Sequence, residues 1–288
     1  MLHGMTLVDE YAWLKDANWQ EVLRDPARLD PGIRAHLEAE NRYTETFLAP
    51  TQALQKTLVA EMRGRIKEDD SGVPQPDGPF AYLWKFREGG QHEAIGRTPR
   101  DGGDLQVLLD GDALAKGSDY FDFGGTRHSP DHLLEAWSAD LRGSEYFTIR
   151  VRRWQTGEDL PDIIEQTSGS VVWGLDSTFF YYVRLDDNHR PLHVLRHRLG
   201  TPQADDVVVY EEPDKGWFAQ VEESASGRFA IVATGNQETS ERWLIDLSQA
   251  DATPRLVALR ETGVRYGVYD RDDQLFILTN QGDAIDFR

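Results

Sequence analysis

Five stretches of this chain share one grammar: a polar turn, then a strand of alternating apolar residues, then a polar break. Asp77-Gly78-Pro79 leads into residues 80–86, Pro130-Asp131 into 133–138 and Asp176-Ser177 into 178–184. Ser226-Gly227 leads into 228–234 and Asp272-Asp273 into 274–279. Between Asp77, Asp131, Asp176, Gly227 and Asp273 the steps are 54, 45, 51 and 46 residues. A period of that size, with several short strands per unit, is the mark of β-propeller blades. After Asp273 only 15 residues remain of 288 (288 − 273), so the fifth unit is expected to be cut short and the chain to be part of a larger protein.

Each unit has room for about four strands. The first unit predicts strands at 80–87, 93–97 and 105–109, the second at 133–138, 146–154 and a short one at 163–164. In the third they fall at 179–184, 192–198 and 207–211, and in the fourth at 229–234, 242–247 and 255–259. A further strand is expected before each turn, at 120–124, 170–174, 218–222 and 264–269. Phe147, Ile149 and Val151 alternate with Tyr146, Thr148, Arg150 and Arg152, as in a strand with one buried face.

Residues 1–75 read differently. Asp30-Pro31 is a helix start, because Asp30 can cap and Pro31 at the first helical position forfeits no needed donor. Ile33, Leu37, Tyr43, Phe47 and Leu48 form an apolar stripe that Pro50 ends, and a second helix starts at Thr51 with Leu54, Leu58, Met62 and Ile66 four residues apart. This helical arm has too few apolar residues for its own core and is expected to pack on something else. Residues 67–79, rich in Asp, Gly and Pro, read as a linker. The expected division is therefore 1–75, helical arm and linker, and 76–288, a partial propeller with units starting near 77, 131, 176, 227 and 273.

Composition narrows the function. A net charge of −19, from 31 basic and 50 acidic residues, argues against nucleic-acid partners and favours cationic ligands by steering. No apolar run approaches the roughly 20 residues of a membrane span, and residues 1–16 lack a signal-peptide pattern. With no cysteine either, a cytoplasmic location is expected.

Short catalytic motifs are missing. There is no G-x-S-x-G, phosphate loop, dinucleotide fingerprint or H-E-x-x-H; Ser168 and Ser170 flank Gly169 without the needed spacing. His189, His193 and His197 would share a metal on a helix, but Pro191 and residues 192–199 favour a strand, where four residues span about 13 Å. They read as a polar strand face. Asp69-Asp70, Asp186-Asp187 and Asp205-Asp206 could supply paired carboxylates for glycoside hydrolysis, but each sits where a turn is expected. Tyr11, Trp13 and Trp19 could cage a ligand; docking of the arm on a neighbouring surface fits them better. No catalytic, cofactor-binding or metal-binding residue is assigned.

A family resemblance runs through the whole chain. Its signature opens with His3-Gly4 and Asp9-Glu10-Tyr11-Ala12-Trp13-Leu14, then Glu38-Ala39-Glu40-Asn41 with Tyr43-Thr44, Leu48-Ala49-Pro50-Thr51 and Gly64-Arg65-Ile66-Lys67-Glu68-Asp69-Asp70. Tyr120-Phe121, Ser129-Pro130-Asp131, Gly143-Ser144-Glu145-Tyr146 and Thr167-Ser168-Gly169-Ser170-Val171-Val172-Trp173 continue it. Arg196-His197-Arg198-Leu199-Gly200, Val209-Tyr210-Glu211-Glu212 and Ile277-Leu278-Thr279-Asn280 complete it. In this order the motifs resemble the oligopeptidase B branch of the prolyl oligopeptidase family of serine peptidases. Ala12 and His132 depart from the pattern, which favours a larger polar residue and Gly at those positions.

The resemblance implies a mainly β fold: an α-helical arm followed by an incomplete seven-bladed propeller of about four and a half blades. It implies a C-terminal α/β-hydrolase domain, not contained here, that carries a Ser, Asp and His triad and cleaves short peptides after Arg or Lys. The arm would pack on that domain, and the propeller would gate access and select by size. No catalytic residue can be carried over, no cofactor is implied, and the chain alone is expected to be inactive. Two other readings are a stand-alone propeller binding module, which needs a closed ring, and a five-bladed glycosidase, which needs carboxylates converging across a central pocket. An open arc is expected to be poorly soluble, to pair through its free edge, or to depend on a missing remainder.

Overall fold

Asp30 begins the first long helix as its side chain predicts. Its carboxylate accepts the backbone N–H groups of Gly32 and Ile33 at 2.7 and 3.1 Å, satisfying two donors that the helix leaves free. The computed structural model describes Gly4, Thr6, residues 8–282 and residues 284–288; His3 of the opening signature lies outside the described residues. The helices are α1 (Trp19–Arg24), α2 (Pro31–Leu48) and α3 (Gln52–Arg63), the last two joined through a 3-10 turn at Ala49–Thr51. Of their apolar residues only Ile33 is buried; Leu37, Tyr43, Phe47, Leu54, Leu58 and Met62 are exposed, as is Ile66, which lies just past the end of α3. Sequence reading missed α1, whose six residues are too few to show a period. It is also the part of the arm that reaches the sheets: Arg24 meets Asp187 at 2.5 Å and Gln20 donates to Asn188 at 2.9 Å.

The remainder is antiparallel sheet. Unit one is a four-stranded meander of β1 (Gln75–Asp77), β2 (Phe80–Lys85), β3 (Ala94–Pro99) and β4 (Gln106–Asp110). A short helix, α4 (Gly111–Leu114), leads out of it. Then comes one seven-stranded sheet built in chain order from β5 (Asp122–His128), β6 (Leu134–Asp140), β7 (Phe147–Arg153), β8 (Asp159–Trp173), β9 (Phe179–Leu185), β10 (Pro191–Arg198) and β11 (Val207–Glu211). Unit four is β12 (Phe218–Glu223), β13 (Phe229–Gly235), β14 (Ser240–Asp246) and β15 (Arg255–Ala258). The hairpin of β16 (Tyr266–Arg271) and β17 (Gln274–Thr279) follows. At its far end Thr279 exchanges both backbone hydrogen bonds with Arg288, at 2.9 and 3.0 Å.

The seven-stranded sheet corrects the short strand expected at 163–164. β8 runs for 15 residues and serves two units. Ile163 and Ile164 pair with β7, Val171–Trp173 pair with β9, and Thr167 lies opposite both Phe147 and Arg184. Between these halves Gln166 (φ 59°) and Gly169 (φ 90°) adopt left-handed backbone, which turns the strand from one unit into the next without ending it. A Cβ on Gly169 would lie 2.8 Å from the Ser138 hydroxyl and 3.0 Å from Gly124, so the turn also needs a residue with no side chain.

The repeat is visible atom by atom. Ser129, Gly174 and Ser224 each donate their N–H to the carbonyl five residues on, at 2.8–2.9 Å. Within the five turns Gly78, His132, Ser177, Gly227 and Asp272 all have φ between 52° and 73°. This left-handed requirement explains why Gly would suit the place that His132 fills. Seams between units hold the core. Leu134, Ala136, Ile149, Val151 and Ile164 meet Trp173, Phe180, Tyr182 and Leu195 between units two and three. Phe179, Tyr181 and Val183, on the other face of β9, meet Ala219, Val221, Val232 and Ile245 of unit four. Each such side chain contributes roughly 1.5–3 kcal/mol.

Among the described residues β17 has a partner on one side only, apart from Thr279. Its Leu275, Phe276, Ile277 and Leu278 are all 44–52% exposed, so both faces and one edge are open to another strand. The chain is expected to self-associate with rising concentration in sedimentation velocity, and Ile277→Lys to shift it toward monomer. An unsubstituted chain that stays monomeric at all concentrations contradicts this.

Candidate functional site

Buried ionisable groups gather at the seams, where one unit's side chains reach the next. Between units one and two, Glu135 of β6 is 2% exposed, and its only hydrogen-bond donor among the described residues is the Trp154 indole N–H, 3.1 Å from Oε2. Arg97 does not pair with it. That guanidinium lies 3.7 Å above the Phe80 ring and 4.0 Å above the Trp154 ring, and donates to the His132 carbonyl at 2.6 Å and to Gln106 at 3.1 Å. Burial therefore pushes the Glu135 carboxyl up to about 8. Alongside, Tyr82 stacks on His128 at 3.9 Å and shares a 2.8 Å hydrogen bond with His132 Nδ1, while His128 approaches Asp77 at 3.3 Å. Burial holds His128 below its ordinary value.

Between units two and three, His197 corrects the polar-face reading of the three histidines. Its ring is buried, with Nδ1 2.7 Å from Asp206 and Nε2 3.0 Å from Asp162, both carboxylates 1% exposed. Tyr182 donates to Asp206 at 2.8 Å and the Gly200 N–H to Asp162 at 2.5 Å. Burial opposes a charged ring, but the bonds to Asp206 and Asp162 outweigh it and raise His197 above its usual value. His193 lies on the same strand, partly exposed, 3.6 Å from Glu211; His189 sits in the preceding turn with φ 58°. Both nitrogens of His197 are occupied, so the cluster is an ion triad; among the described residues no group of three acidic or histidine side chains is arranged for a metal.

Between units three and four, Arg260 stacks 4.0 Å over Trp217 and joins two buried carboxylates, Glu212 at 3.0 Å and Glu241 at 2.9 Å. Thr234 and Tyr210 donate to Glu212 at 2.7 and 2.9 Å, and Trp243 to Glu241 at 3.0 Å. Arg260 holds both glutamates below the usual carboxylate range despite their burial. Tyr210 and Glu212 stand in a motif of the family resemblance with no role attached; Arg260, Glu241, Thr234, Trp217 and Trp243 were not singled out from sequence. A signal existed for Glu135, a charge inside the apolar run 133–139; for Arg260, 19 and 48 residues from its partners, none did.

Among the described residues the seam clusters do not assemble a serine nucleophile with a histidine base. No serine or threonine hydroxyl among the described residues bonds to a histidine ring: where His128 and His189 meet a serine, it is through the backbone oxygens of Ser129 and Ser144. The Ser138 hydroxyl donates to Gly169 O, and Ser168 and Ser170 lie within β8. The paired aspartates do not converge either. Asp186 accepts the N–H groups of Asn188 and Arg190 in its own turn, Asp206 belongs to the His197 triad, and Asp69-Asp70 lie in the exposed linker. Tyr11 and Trp13 remain exposed, with Trp13 edge-on to His36 at 5.0 Å. No described helix is long and apolar enough to cross a membrane.

Antiparallel units that repeat and pack through side-chain seams define the class of domain, and comparison with known proteins supplies its family. Residues 1–288 match the family described as prolyl oligopeptidase, N-terminal β-propeller domain. The chain is 30% identical to Protease 2 of Moraxella lacunata, over 100% of this chain and 41% of that protein. To dipeptidyl aminopeptidase BI of Pseudoxanthomonas mexicana it is 32% identical, over 99% and 40%. The structure of oligopeptidase B from Leishmania major superposes with a TM-score of 0.90 at 30% identity, covering 97% of this chain and 39% of that one. Oligopeptidase B from Trypanosoma brucei, with covalently bound antipain in a closed form, gives 0.86 at 32%, covering 96% and 38%. The chain belongs to the prolyl oligopeptidase family of serine peptidases, within its N-terminal propeller domain. It spans about 40% of the length of the relatives it matches.

Two predictions follow from the seam chemistry. Glu135 keeps its proton in the fold up to about 8, whereas the unfolded chain releases it near the ordinary carboxylate value of 4.5. The folded state therefore binds more protons across that window, and stability falls as pH rises through it. His197, also raised, contributes fully below its ordinary 6.5 and loses that contribution as pH climbs through its folded value. Denaturant midpoints should fall from pH 6 to pH 9, and Glu135→Gln should flatten the slope and raise stability at pH 9 by on the order of 1 kcal/mol or more. Arg260→Met leaves two buried carboxylates facing each other and should cost roughly 3–5 kcal/mol in urea unfolding, much of it recovered by adding Glu212→Gln.

Proposed function

We propose that this chain is the N-terminal part of an oligopeptidase B-like serine peptidase that cleaves short peptides after Arg or Lys. The observation that carries the proposal is coverage: the whole chain aligns with relatives of which it makes up 41% and 39%, two of them named as a protease and an oligopeptidase. In this reading residues 1–75 are the helical arm and linker. Residues 76–288 are about four and a half blades of a seven-bladed propeller, starting near 77, 131, 176, 227 and 273. The exposed apolar stripes of α2 and α3 dock on a C-terminal α/β-hydrolase domain.

Chemistry then resides in that second domain. A serine activated by histidine attacks the scissile carbonyl, backbone N–H groups stabilise the oxyanion, and water releases the acyl group. The propeller gates entry and excludes large substrates, and the net charge of −19 favours approach of cationic peptides. A cytoplasmic location suits a cysteine-free chain that acts on peptides rather than folded proteins. The purified 288-residue chain should not release product from a fluorogenic peptide with Arg before the reporter group. Turnover above buffer that persists through repeated purification would overturn the assignment of chemistry to a separate domain.

A further inference from the structure

We infer that the cleft between unit four and the β16–β17 hairpin is a binding site for a carboxylate group, presented by a peptide. The cleft has a volume of about 580 Å³ and opens beside the start of β12. Strand register explains why it is hollow. Phe218, Gly235 and Ser240 lie in one row across β12, β13 and β14, and Gln220, Ala233 and Arg242 in the next. Small residues make the floor, while Phe218, Gln220 and Arg242 stand at its margins; Gly267 of β16 keeps the facing wall thin.

Two arginines, Arg242 and Arg265, line the cleft, and like Arg97 they contrast with the ion-paired arginines of the chain. Arg87, Arg127, Arg152 and Arg260 each meet a carboxylate. Arg242 meets none among the described residues, although it is half-buried. Its Nη1 donates to the backbone oxygens of Thr234 and Glu241, at 3.2 and 3.0 Å, which fixes the guanidinium plane. Nε and Nη2 donate to no described acceptor. Burial lowers the Arg242 pKa, with Glu222 attracting it only from beyond ion-pair distance. On the opposite wall Arg265 lies 5.4 Å over the Phe287 ring and makes no described side-chain hydrogen bond. Behind Phe218, Arg190 stacks at 4.3 Å and leaves its buried Nε without a partner. Two cations, Arg242 and Arg265, thus line one hollow of a strongly acidic chain, with Arg190 behind the Phe218 ring.

The open edge of Arg242 selects the ligand. Parallel N–H bonds from Nε and Nη2 match the two oxygens of a planar carboxylate, and desolvation strengthens such a pair. Phe218, Tyr266 and Phe287 offer ring surface to an apolar group beside the acid, and Gln220 and Asn236 offer hydrogen bonds to its amide. That the carboxylate belongs to a peptide rests on the peptidase reading above; that the cleft takes a carboxylate does not.

The test is calorimetric titration of the 288-residue chain with acetyl-Ala-Ala-Phe and with its C-terminal amide. The acid should bind saturably and the amide about tenfold more weakly or worse. An acetyl-Ala-Glu-Phe amide separates a side-chain carboxylate from a terminal one; recovery of affinity assigns the site to acidic side chains. Arg242→Gln should lose about tenfold in affinity for the acid, and Arg242→Lys should regain only part, because a point charge cannot supply the fork. Arg265→Gln, at an exposed position, should weaken binding severalfold with unchanged melting, and serves where an Arg242 variant does not fold. Equal binding of acid and amide, no saturation at millimolar peptide, or competition by inorganic phosphate as effective as by the acid would each overturn the inference. Because no cleavage is read, failure here leaves the peptidase assignment standing, and an inactive chain leaves this one standing.

Discussion

Face-to-face packing between successive sheets is the interaction on which everything else here depends. A lone four-stranded meander has two faces and cannot hide both. In this chain β9 hides both by facing two neighbours: Phe180 and Tyr182 point to unit two, Phe179, Tyr181 and Val183 to unit four. Its full burial follows from position in the row, and it reads as a continuous apolar run rather than an alternating one. Units at the ends of the row lack that second neighbour. Of unit one only Leu109 is fully buried in the seam with Phe121, Trp137 and Ala139, with Ile95 and Leu108 partly buried against it, and the hairpin leaves β17 uncovered.

The seams also hold the polar chemistry, and each solves the problem of a buried charge differently. Arg260 gives two glutamates one shared cation plus neutral donors, so both stay ionised. His197 bridges two aspartates, one of which keeps an oxygen, Asp162 Oδ2, with no partner. Glu135 has a single indole N–H and stays protonated instead. The difference is geometric: Arg97, which could have paired with Glu135, is sandwiched between Phe80 and Trp154 and spends its donors elsewhere.

Most of the strand pattern was legible because it is local. Residues 207–211 and 274–279 coincide with β11 and β17, and the others fall within a few residues. The cap at Asp30 and the break at Pro50 were legible for the same reason. β8 was not, because Pro161 and Gly169 look like stops, and only pairing with β7 on one half and β9 on the other keeps the strand extended. The ion clusters and the arginine cleft were invisible because their members come from different strands and units; spacing along the chain carries no information about them. Ordered motifs fared better, since the family they resemble is the one that the whole-chain comparison shows.

The 15-residue strand shared by units two and three sets a hierarchy among the seams. Thr167 is laddered to Phe147 in unit two and to Arg184 in unit three, so backbone pairing is continuous across this seam, whereas the seams before β5 and after β11 are crossed by side chains and loops alone. The arc therefore has a stiff middle and two compliant joints. Any breathing of the domain is distributed unevenly around it, with motion of unit one and of the fourth unit relative to a fixed central pair.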